Sequence, residues 1–390
     1  FMVFMNAKNN LEEAALGNFL QMAEVESSAR VNVLVQFGRP KLHYSDGYGP
    51  WAGSRIFRIT RNMDPSAAPV RDLQDVDMGS GKAVAEFVAW CRQRYPAKHY
   101  ALVVWDHGEG WRFQYAKTFA ARLQGARGLD LARGPAAPLA RLGFKSVSHD
   151  EETGNVIYNR DLADSLKVVL GKEKLDVISF DACLMGMIET AFAMREIADF
   201  MVASEELEPG AGWNYSRVLG RLVPSPGIDG RELSQRIVDA YSEEYGDGRL
   251  TALSAVSLAE AEATADAISR LGEAAEKALN EKRGALESAR GRCRPYGAAV
   301  QLTNSVDIAC VVDGMLAGKE LNALHAGARQ VRNALGKMVV RNYISKRMAK
   351  EGPGGTGLAI YFPPSAQAHF ADPDHDGYEE KPTKFPVEFV

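Results

Sequence analysis

The chain has 390 residues, of which 46% are hydrophobic and 25% are charged, and its formal net charge at pH 7 is −4. This length accommodates a full-sized core and about two structural units. The weak negative charge excludes the basic footprint of a nucleic-acid binder, and no apolar run approaches the roughly 20 residues that span a bilayer. We therefore expect neither a nucleic-acid partner nor a membrane span.

The cysteine content gives a second expectation. Four cysteines in a chain of this length are too few for a disulfide scaffold, and none forms a C-x-x-C metal pair. We expect free thiols, one of them reactive. The opening residues "FMVFM" are typical of the second half of a buried strand. We therefore expect the natural protein to begin earlier and any export signal to lie in that preceding part. The cysteines are Cys91, Cys183, Cys293 and Cys310.

The first half of the chain alternates strand-like apolar runs with amphipathic helical patterns. Strands that alternate with helices this regularly form a parallel sheet covered on both faces. The predicted fold class is therefore α/β, with a largely parallel central sheet flanked by helices. In chain order, the patterns predict a strand at 1–5, a helix at 10–25, strands at 31–37 and 54–60, a helix at 81–93, strands at 100–105 and 175–180, a helix at 184–197 and a strand at 200–204.

From about residue 257 the pattern becomes mainly helical. Ser257 and Glu260 have the spacing of a capping box, and helical stretches are predicted to about residue 290 and over 317–350. Strand-like segments lie at 298–303 and 357–364, and we expect the last one to return to the sheet. We therefore divide the chain into a domain of residues 1–256 and a mainly helical C-terminal region of residues 257–390.

Two buried apolar runs end in residues that carry chemistry. "ALVVWDHG" ends in His107 and Gly108, and "DVISFDAC" ends in Asp181 and Cys183. Because the carboxyl ends of parallel strands meet at one edge, we expect these residues to lie together. A cysteine nucleophile requires a nearby base, which a histidine supplies. The N–H groups of Gly108 and Cys183 would then stabilise an oxyanion, and a helix after Cys183 would favour the thiolate.

The segments "ALVVWDHGEGW" and "VISFDACLMGMIE" resemble the clostripain family of cysteine peptidases. The resemblance extends to "FMNAKNNLE", "SEELEPGAGWNY" and "GLAIYFP", so it spans nearly the whole chain. It implies a caspase-like fold in residues 1–256, shared with caspases, legumains, gingipains and separases. It also implies an endopeptidase in which His107 is general base and acid and Cys183 is the nucleophile that forms a thioester. A secreted or cell-envelope location, and chemistry that requires no cofactor, follow as expectations.

The same resemblance implies a substrate preference. Family members cleave after Arg or Lys, and the aspartate two residues before the nucleophile is their specificity residue. Asp181 has this position, where its carboxylate would pair with the cation of a protein or peptide substrate. Glu205 and Glu206 are weaker candidates for the pocket wall, with a solvated acidic turn as the alternative. Trp213 would line the pocket, or else pack within the protein.

Residues 115–145 are rich in basic side chains, with Asp130 as their single acid. A mobile surface loop is one interpretation. A preference for Arg and Lys would make this segment a substrate of its own active site, and the resemblance implies maturation by cleavage in this region. We therefore predict self-cleavage after one of its six basic residues, which are Lys117, Arg122, Arg127, Arg133, Arg141 and Lys145.

A candidate calcium site lies near the end of the chain. "DPDHDG" matches the first half of a calcium-binding loop, with Asp372, Asp374 and Asp376 as candidate ligands. Position twelve of such a loop would be Thr383 rather than glutamate, so a solvated acidic turn is the alternative. The sequence leaves two further functions open. One is a non-catalytic caspase-like binding module, and the other is a cysteine hydrolase or transpeptidase of different specificity.

Overall fold

A computed structural model describes residues 1–108, 147–297 and 304–370. Its strands form one large sheet and two small ones within these residues. The predicted apolar runs become strands because their β-branched and aromatic side chains suit a sheet that is buried on both faces. The strands are β1 (Met2–Asn6), β2 (Leu34–Arg39), β3 (Gly53–Arg58), β4 (Arg71–Gln74), β5 (Ala101–Trp105), β6 (Val147–Asp150), β7 (Asn155–Ile157), β8 (Leu175–Asp181), β9 (Ala198–Ala203), β10 (Ala252–Ser257), β11 (Pro295–Tyr296), β12 (Ser305–Asp307), β13 (Val339–Ile344) and β14 (Ala359–Tyr361).

Helices cover both faces of the large sheet and enclose one apolar core on each side. Asn214 and Asp229 cap their helices through side-chain oxygens, whereas Ser257 of the predicted capping box makes no such bond. The helices are α1 (Glu12–Val25), α2 (Gly81–Arg94), α3 (Asn159–Leu170), α4 (Ile188–Met194), α5 (Tyr215–Leu222), α6 (Gly230–Tyr245), α7 (Ala261–Gly291), α8 (Ile308–Ala317), α9 (His325–Met338), α10 (Lys346–Lys350) and α11 (Ala366–Phe370), with 3-10 turns at Leu258–Glu260 and Lys319–Leu324.

The large sheet is parallel at its centre and antiparallel at its edges. Its strand order is β13-β10-β9-β8-β5-β1-β2-β3-β4. The five central strands, from β9 to β2, run parallel, and the flanking strands pair antiparallel. The α/β fold class is confirmed, with the correction that the sheet is mixed. The carboxyl ends of the parallel strands meet at one edge, where active sites of such folds lie.

Two predictions for the C-terminal region were wrong. The helix expected over 317–350 is interrupted by β13, which pairs with β10 and so enters the large sheet. The segment 357–364, which was expected to return to that sheet, supplies β14 of the small sheet β11-β12-β14 instead. The sequence "VVRNYI" of β13 is short, only half-buried and directly preceded by a helix, so its pattern did not predict a strand. The division at residue 256 stays a prediction.

The expectation of four free thiols was also wrong. Cys293 and Cys310 form a disulfide that joins the end of α7 to the first turn of α8. The sequence could not reveal this pair, because only the folded chain brings the two positions to a Cα separation of 5.8 Å. Cys91 and Cys183 are free cysteines. Of the helices in the described residues, none has both the length and the hydropathy required to cross a bilayer.

Candidate active site

The carboxyl ends of β5 and β8 lie side by side and form the rim at which the predicted residues meet. The two strands are parallel, with Trp105 opposite Asp181. The backbone N–H of Asp106 donates to the Asp181 carbonyl at 3.3 Å. His107 and Cys183 each follow the paired residue of their strand by two positions. The structure therefore brings the two segments to the same edge of the sheet.

Gly108 lies directly against the backbone of Cys183. A Cβ atom added at position 108 would lie 2.4 Å from the Cys183 carbonyl oxygen and 3.1 Å from its nitrogen. Glycine is required here because a side chain would displace the cysteine. On its other side, Gly108 pairs with Val147, and the Ser148 N–H donates to the His107 carbonyl at 3.3 Å. The hairpin β6–β7 therefore braces His107 and Gly108 against Cys183.

The chain turns sharply immediately after Cys183. Leu184 has a φ of 61°, in the left-handed region that side chains other than glycine adopt at a cost. The Leu184 N–H donates to the Glu206 carbonyl at 3.2 Å, which holds this turn. The helix that was expected to begin at residue 184 begins at Ile188. Cys183 is therefore not at a helix N-terminus, and the expected contribution of a helix to its ionisation was wrong.

The Cys183 thiol is half-buried and is held by the backbone of Glu208. The Glu208 N–H donates to Sγ at 3.2 Å. Burial is the main cause that raises the pKa of the thiol to about 12. The hydrogen bond from Glu208 opposes this rise, whereas the charges of Glu208, Glu206 and Asp181 add to it. In this state Cys183 is therefore a neutral thiol at pH 7.

Asn10 holds the imidazole of His107. The Nε2 atom of His107 lies 2.8 Å from Asn10 Oδ1, so in this arrangement Nε2 donates and Nδ1 is the basic nitrogen. Burial lowers the pKa of His107 well below its usual value, and the charge of His149 lowers it further. The imidazole is then neutral at pH 7, as a general base must be. Sequence reasoning missed Asn10, although it lies in the quoted segment "FMNAKNNLE".

A buried aspartate fixes the backbone beneath His107. Asp106 Oδ1 accepts from the His107 N–H and from the Asn9 amide, each at 2.7 Å. Its Oδ2 accepts from the Asn6 amide at 3.0 Å and from the His149 N–H at 2.6 Å. These four donors join the loop after β1, the end of β5 and the hairpin β6–β7. The histidine side of the rim is therefore held by a dense polar network.

Asp181 and Glu208, here called the acid pair, lie beside Cys183. Asp181 Oδ2 accepts from the Trp213 N–H at 3.1 Å and the Tyr215 hydroxyl at 2.8 Å, and Glu208 Oε2 accepts from the Trp213 indole at 2.9 Å. Burial raises the pKa of Asp181 to about 7. Burial and the Asp181 charge raise the pKa of Glu208 well above its usual value. No cation among the described residues counteracts either shift.

Residues 208–213, which include Glu208, lie over the Asp181 carboxylate. Asp181 is 4% exposed, and a Cβ atom added at Gly212 would lie 3.0 Å from both of its carboxylate oxygens. The Tyr245 hydroxyl donates to the Gly212 carbonyl and holds this cover down. Because the Glu208 N–H also engages Cys183 Sγ, the same short segment contacts both the thiol and the acid. The sequence does not reveal Glu208, because its contact with Cys183 spans 25 residues of the chain.

Those two glutamates are buried, so they do not form a solvated turn. The Glu205 carboxylate accepts from the Gly357 N–H at 2.9 Å and faces Asp307, which places it against the C-terminal segment of the chain. Glu206 forms an ion pair with Arg294 at 2.5 Å. Trp213, in contrast, touches both members of the acid pair. The tryptophan is thus the one of these candidates in contact with Asp181.

The remaining candidates lie outside the described residues. Within residues 1–108, 147–297 and 304–370, no group of three His, Cys, Asp or Glu side chains is arranged to hold a metal ion. The self-cleavage candidates and the calcium-ligand candidates stay predictions. They are Lys117, Arg122, Arg127, Arg133, Arg141, Lys145, Asp372, Asp374 and Asp376.

A mixed sheet with His-Gly and Ala-Cys at the ends of neighbouring parallel strands is typical of the caspase-like cysteine peptidases. Comparison with known families agrees with this class. A sequence model of the clostripain family matches residues 3–124 and 137–362. The chain therefore belongs to the clostripain family of cysteine peptidases.

Individual relatives are distant in sequence but similar in fold. Clostripain of Hathewaya histolytica is 24% identical over 251 residues, which cover 59% of this chain and 43% of that protein. The chain thus spans less than half of that relative's length. An inactive zymogen C11 protease from Parabacteroides distasonis has a TM-score of 0.63 at 16% identity, covering 97% of this chain and 94% of that one. A secreted C11 cysteine protease from Bacteroides thetaiotaomicron has a TM-score of 0.63 at 13% identity, covering 92% of each chain.

Proposed function

We propose that the protein is a cysteine endopeptidase that cleaves after Arg or Lys, with Cys183 as nucleophile and His107 as general base and acid. The observation that carries the specificity is the acid pair beside Cys183, whose raised pKa values no cation of the described residues counteracts. A substrate guanidinium or ammonium would supply that charge and favour the ionised carboxylates. It would also place the following carbonyl next to the thiol.

The proposed reaction uses groups that meet at the rim. His107 Nδ1 takes the proton of Cys183, and the thiolate attacks the carbonyl carbon of the scissile bond. The N–H groups of Gly108 and Cys183 stabilise the oxyanion. His107 then protonates the leaving amine, which departs and leaves a thioester on Cys183. A water molecule that has lost its proton to His107 hydrolyses the thioester and restores the thiol.

Substrate binding requires residues 208–213 to shift. In the closed arrangement this segment lies over the Asp181 carboxylate, and its Glu208 N–H holds the sulfur. One movement therefore opens the pocket and frees the nucleophile. Gly210 and Gly212 give this segment the backbone freedom that such a shift needs.

The same specificity supports self-processing within residues 115–145. The segment lies between Gly108 and Val147 in the chain, and these two described residues pair with each other beside Cys183. We expect cleavage after one of its six basic residues. Incubation of the purified protein beside a Cys183→Ala variant, followed by intact-mass measurement, checks this. Two intact chains, or two chains nicked equally, would exclude self-cleavage.

We also infer a secreted or cell-envelope location. The Cys293–Cys310 disulfide supports it, because such bonds persist in oxidising compartments. The partners are then extracellular proteins or peptides that present Arg or Lys at the cleavage position. Detection of the disulfide by mass spectrometry in protein recovered from its natural source, with the cell fraction recorded, checks both points. A protein recovered reduced from the cytosol contradicts them.

A fluorogenic peptide panel with Arg, Lys, Asp and Asn at the cleavage position tests the proposal. We expect cleavage of the Arg and Lys peptides, with losses of about 10³-fold or more in Cys183→Ala and His107→Ala. The melting temperature of each variant serves as the folding control. Preference for Asp or Asn would remove the role of the acid pair. No cleavage by the folded, processed protein would favour a binding module.

A further inference from the structure

A fully buried lysine, Lys8, lies in the loop after β1, apart from His107, Cys183 and the acid pair. The Lys8 Nζ donates to the Val76 carbonyl at 2.8 Å and lies 3.2 Å from Asp75, 3.4 Å from Asp150 and 3.3 Å from Glu152. The side chains of Lys8 and Asp150 are both 0% exposed. Although burial lowers the pKa of Lys8, these carboxylates raise it above the usual value. Lys8 is therefore an internal cation at neutral pH.

This ammonium ties the hairpin β6–β7 to the loop after β1. Asp150 ends β6, and Glu152 lies in the turn of the hairpin. Asp150 also accepts from the Met78 N–H at 3.0 Å, and the Glu151 N–H donates to the Lys8 carbonyl at 3.0 Å. The turn of the hairpin is thus held from both its side chains and its backbone. Lys8 is the cation at the centre of these contacts.

The other end of the same hairpin braces the active site. Val147 pairs with Gly108, and the Ser148 N–H donates to the His107 carbonyl. Gly108 lies so close to Cys183 that even a Cβ atom at position 108 would lie 2.4 Å from the cysteine carbonyl oxygen. A displacement of β6 would therefore move the His107–Gly108 segment and change the distance between the His107 imidazole and the Cys183 thiol.

We propose that Lys8 is a positioning residue for peptide cleavage, whose ammonium holds hairpin β6–β7 where it keeps His107 and Gly108 against Cys183. The inference rests on the proposed roles of His107 and Cys183. Without the ammonium, Asp150 and Glu152 would lose the buried cation that contacts them and keep only the charge of the exposed Lys41 nearby, so the turn would loosen. Turnover is expected to fall while substrate affinity is retained, because the acid pair lies on the other side of the rim.

The test compares Lys8→Met with Lys41→Met. Lys41 is a matched control, since it pairs with the same Asp75 at 2.6 Å but is 63% exposed. We expect Lys8→Met to lower kcat on an Arg peptide about 10- to 100-fold, with KM changed by less than about threefold. Lys41→Met should change both by less than about twofold. In Lys8→Ala, added propylammonium should raise kcat, whereas propanol, its neutral counterpart, should not.

The outcomes separate this proposal from the function on which it rests. If the wild-type enzyme shows no preference for Arg peptides, the proposed specificity is contradicted. The comparison of kcat between Lys8→Met and the wild type still tests the positioning role, on whichever peptide is cleaved. An unchanged kcat in folded Lys8→Met overturns the positioning role, as does a decrease that matches the folded fraction and shows no rescue by propylammonium. If Lys8→Met does not fold, Glu152→Gln removes one of the hairpin charges instead. A folded Glu152→Gln variant with wild-type kcat also overturns the role.

Discussion

Buried acids lie on both sides of the rim, and the acids around Lys8 differ from those beside Cys183 in the source of the cation. On the histidine side, Asp150 faces the ammonium of Lys8. On the cysteine side, Asp181 and Glu208 receive hydrogen bonds from Trp213, but no cation of the described residues acts on them. Burial without a cation raises the pKa of a carboxyl, as it does for Asp181.

The presence or absence of a cation from the chain distinguishes buried carboxylates with a structural role from those proposed to bind a ligand. The acids around Lys8 hold loops in place, because the chain itself provides their counter-charge. Under the proposed function, the Arg or Lys side chain of a substrate provides the cation for the acid pair. The role of a buried carboxylate next to a nucleophile is thus best inferred from whether a cation of the same chain lies close enough to pair with it. If this contrast governs activity, removing the charge of Asp181 should reduce cleavage of Arg and Lys peptides more than removing an exposed acid.

The largest effect is expected at the acid pair. Asp181→Asn keeps an oxygen that accepts from Trp213 and Tyr215 but removes the charge. We expect kcat/KM for Arg and Lys peptides to fall about 10²- to 10³-fold, because the substrate cation is left without its partner. The melting temperature should not decrease, since a poorly solvated acid is removed. Asp199→Asn, an exposed acid of β9, is the control. A loss below about threefold in Asp181→Asn would contradict the contrast.

The next effect is expected where the two sides touch. In Gly108→Ala, the new Cβ would lie 2.4 Å from the Cys183 carbonyl, so the histidine and cysteine segments must separate. We expect kcat to fall about 10²-fold with the fold retained. Gly17→Ala is the control, because no atom lies within 4 Å of a Cβ at that position. Full activity of Gly108→Ala, measured on the Arg peptide, would show that the close approach is unimportant.

A smaller effect is expected for the residue that orients the base. Asn10→Ala removes the acceptor at 2.8 Å from His107 Nε2, and we expect kcat to fall about tenfold. Asn10→Asp retains an acceptor and adds a negative charge, which raises the pKa of His107. Its pH–kcat profile should therefore show an acidic limb at higher pH than that of the wild type. Profiles that coincide for all three proteins would exclude a positioning role for Asn10.

The smallest effect is expected away from the rim, at Glu205. Burial and the Asp307 charge raise the pKa of Glu205 well above its usual value. As pH rises above the unfolded pKa of about 4.3, the unfolded chain ionises before the folded one, so wild-type stability is lost with rising pH. Glu205→Gln removes this loss. The melting temperature of the variant should therefore exceed that of the wild type more at about pH 8 than at about pH 4. A difference in melting temperature that is the same at both pH values would contradict the raised pKa of Glu205.

The strand ends could be predicted from the sequence because their signal is local. An apolar run followed by His107-Gly108, and another followed by Ala182-Cys183, identifies two buried strands with chemical groups at their carboxyl ends. Parallel pairing of β5 and β8 then brings the groups together. Asp181 lies within the second motif, but its specificity role is a prediction that came from the family resemblance.

The supporting residues could not be predicted because their partners are distant in the chain. Asn10 meets its histidine across 97 residues, and the Glu208 N–H reaches the cysteine sulfur across 25. Lys8 reads as a solvated surface lysine until the fold surrounds it with three acids. The disulfide between Cys293 and Cys310 depends likewise on helix packing that sequence spacing does not encode.

The ratio of kcat/KM for an Arg peptide to that for its citrulline counterpart, measured across pH, tests the central claim most directly. Citrulline keeps the shape of arginine and removes its charge. With the pKa of Asp181 raised to about 7, the ratio should be large at about pH 8 and should decrease as the carboxyl becomes protonated below about pH 7. Equal rates for the two peptides, or a ratio that does not change with pH, would contradict the account.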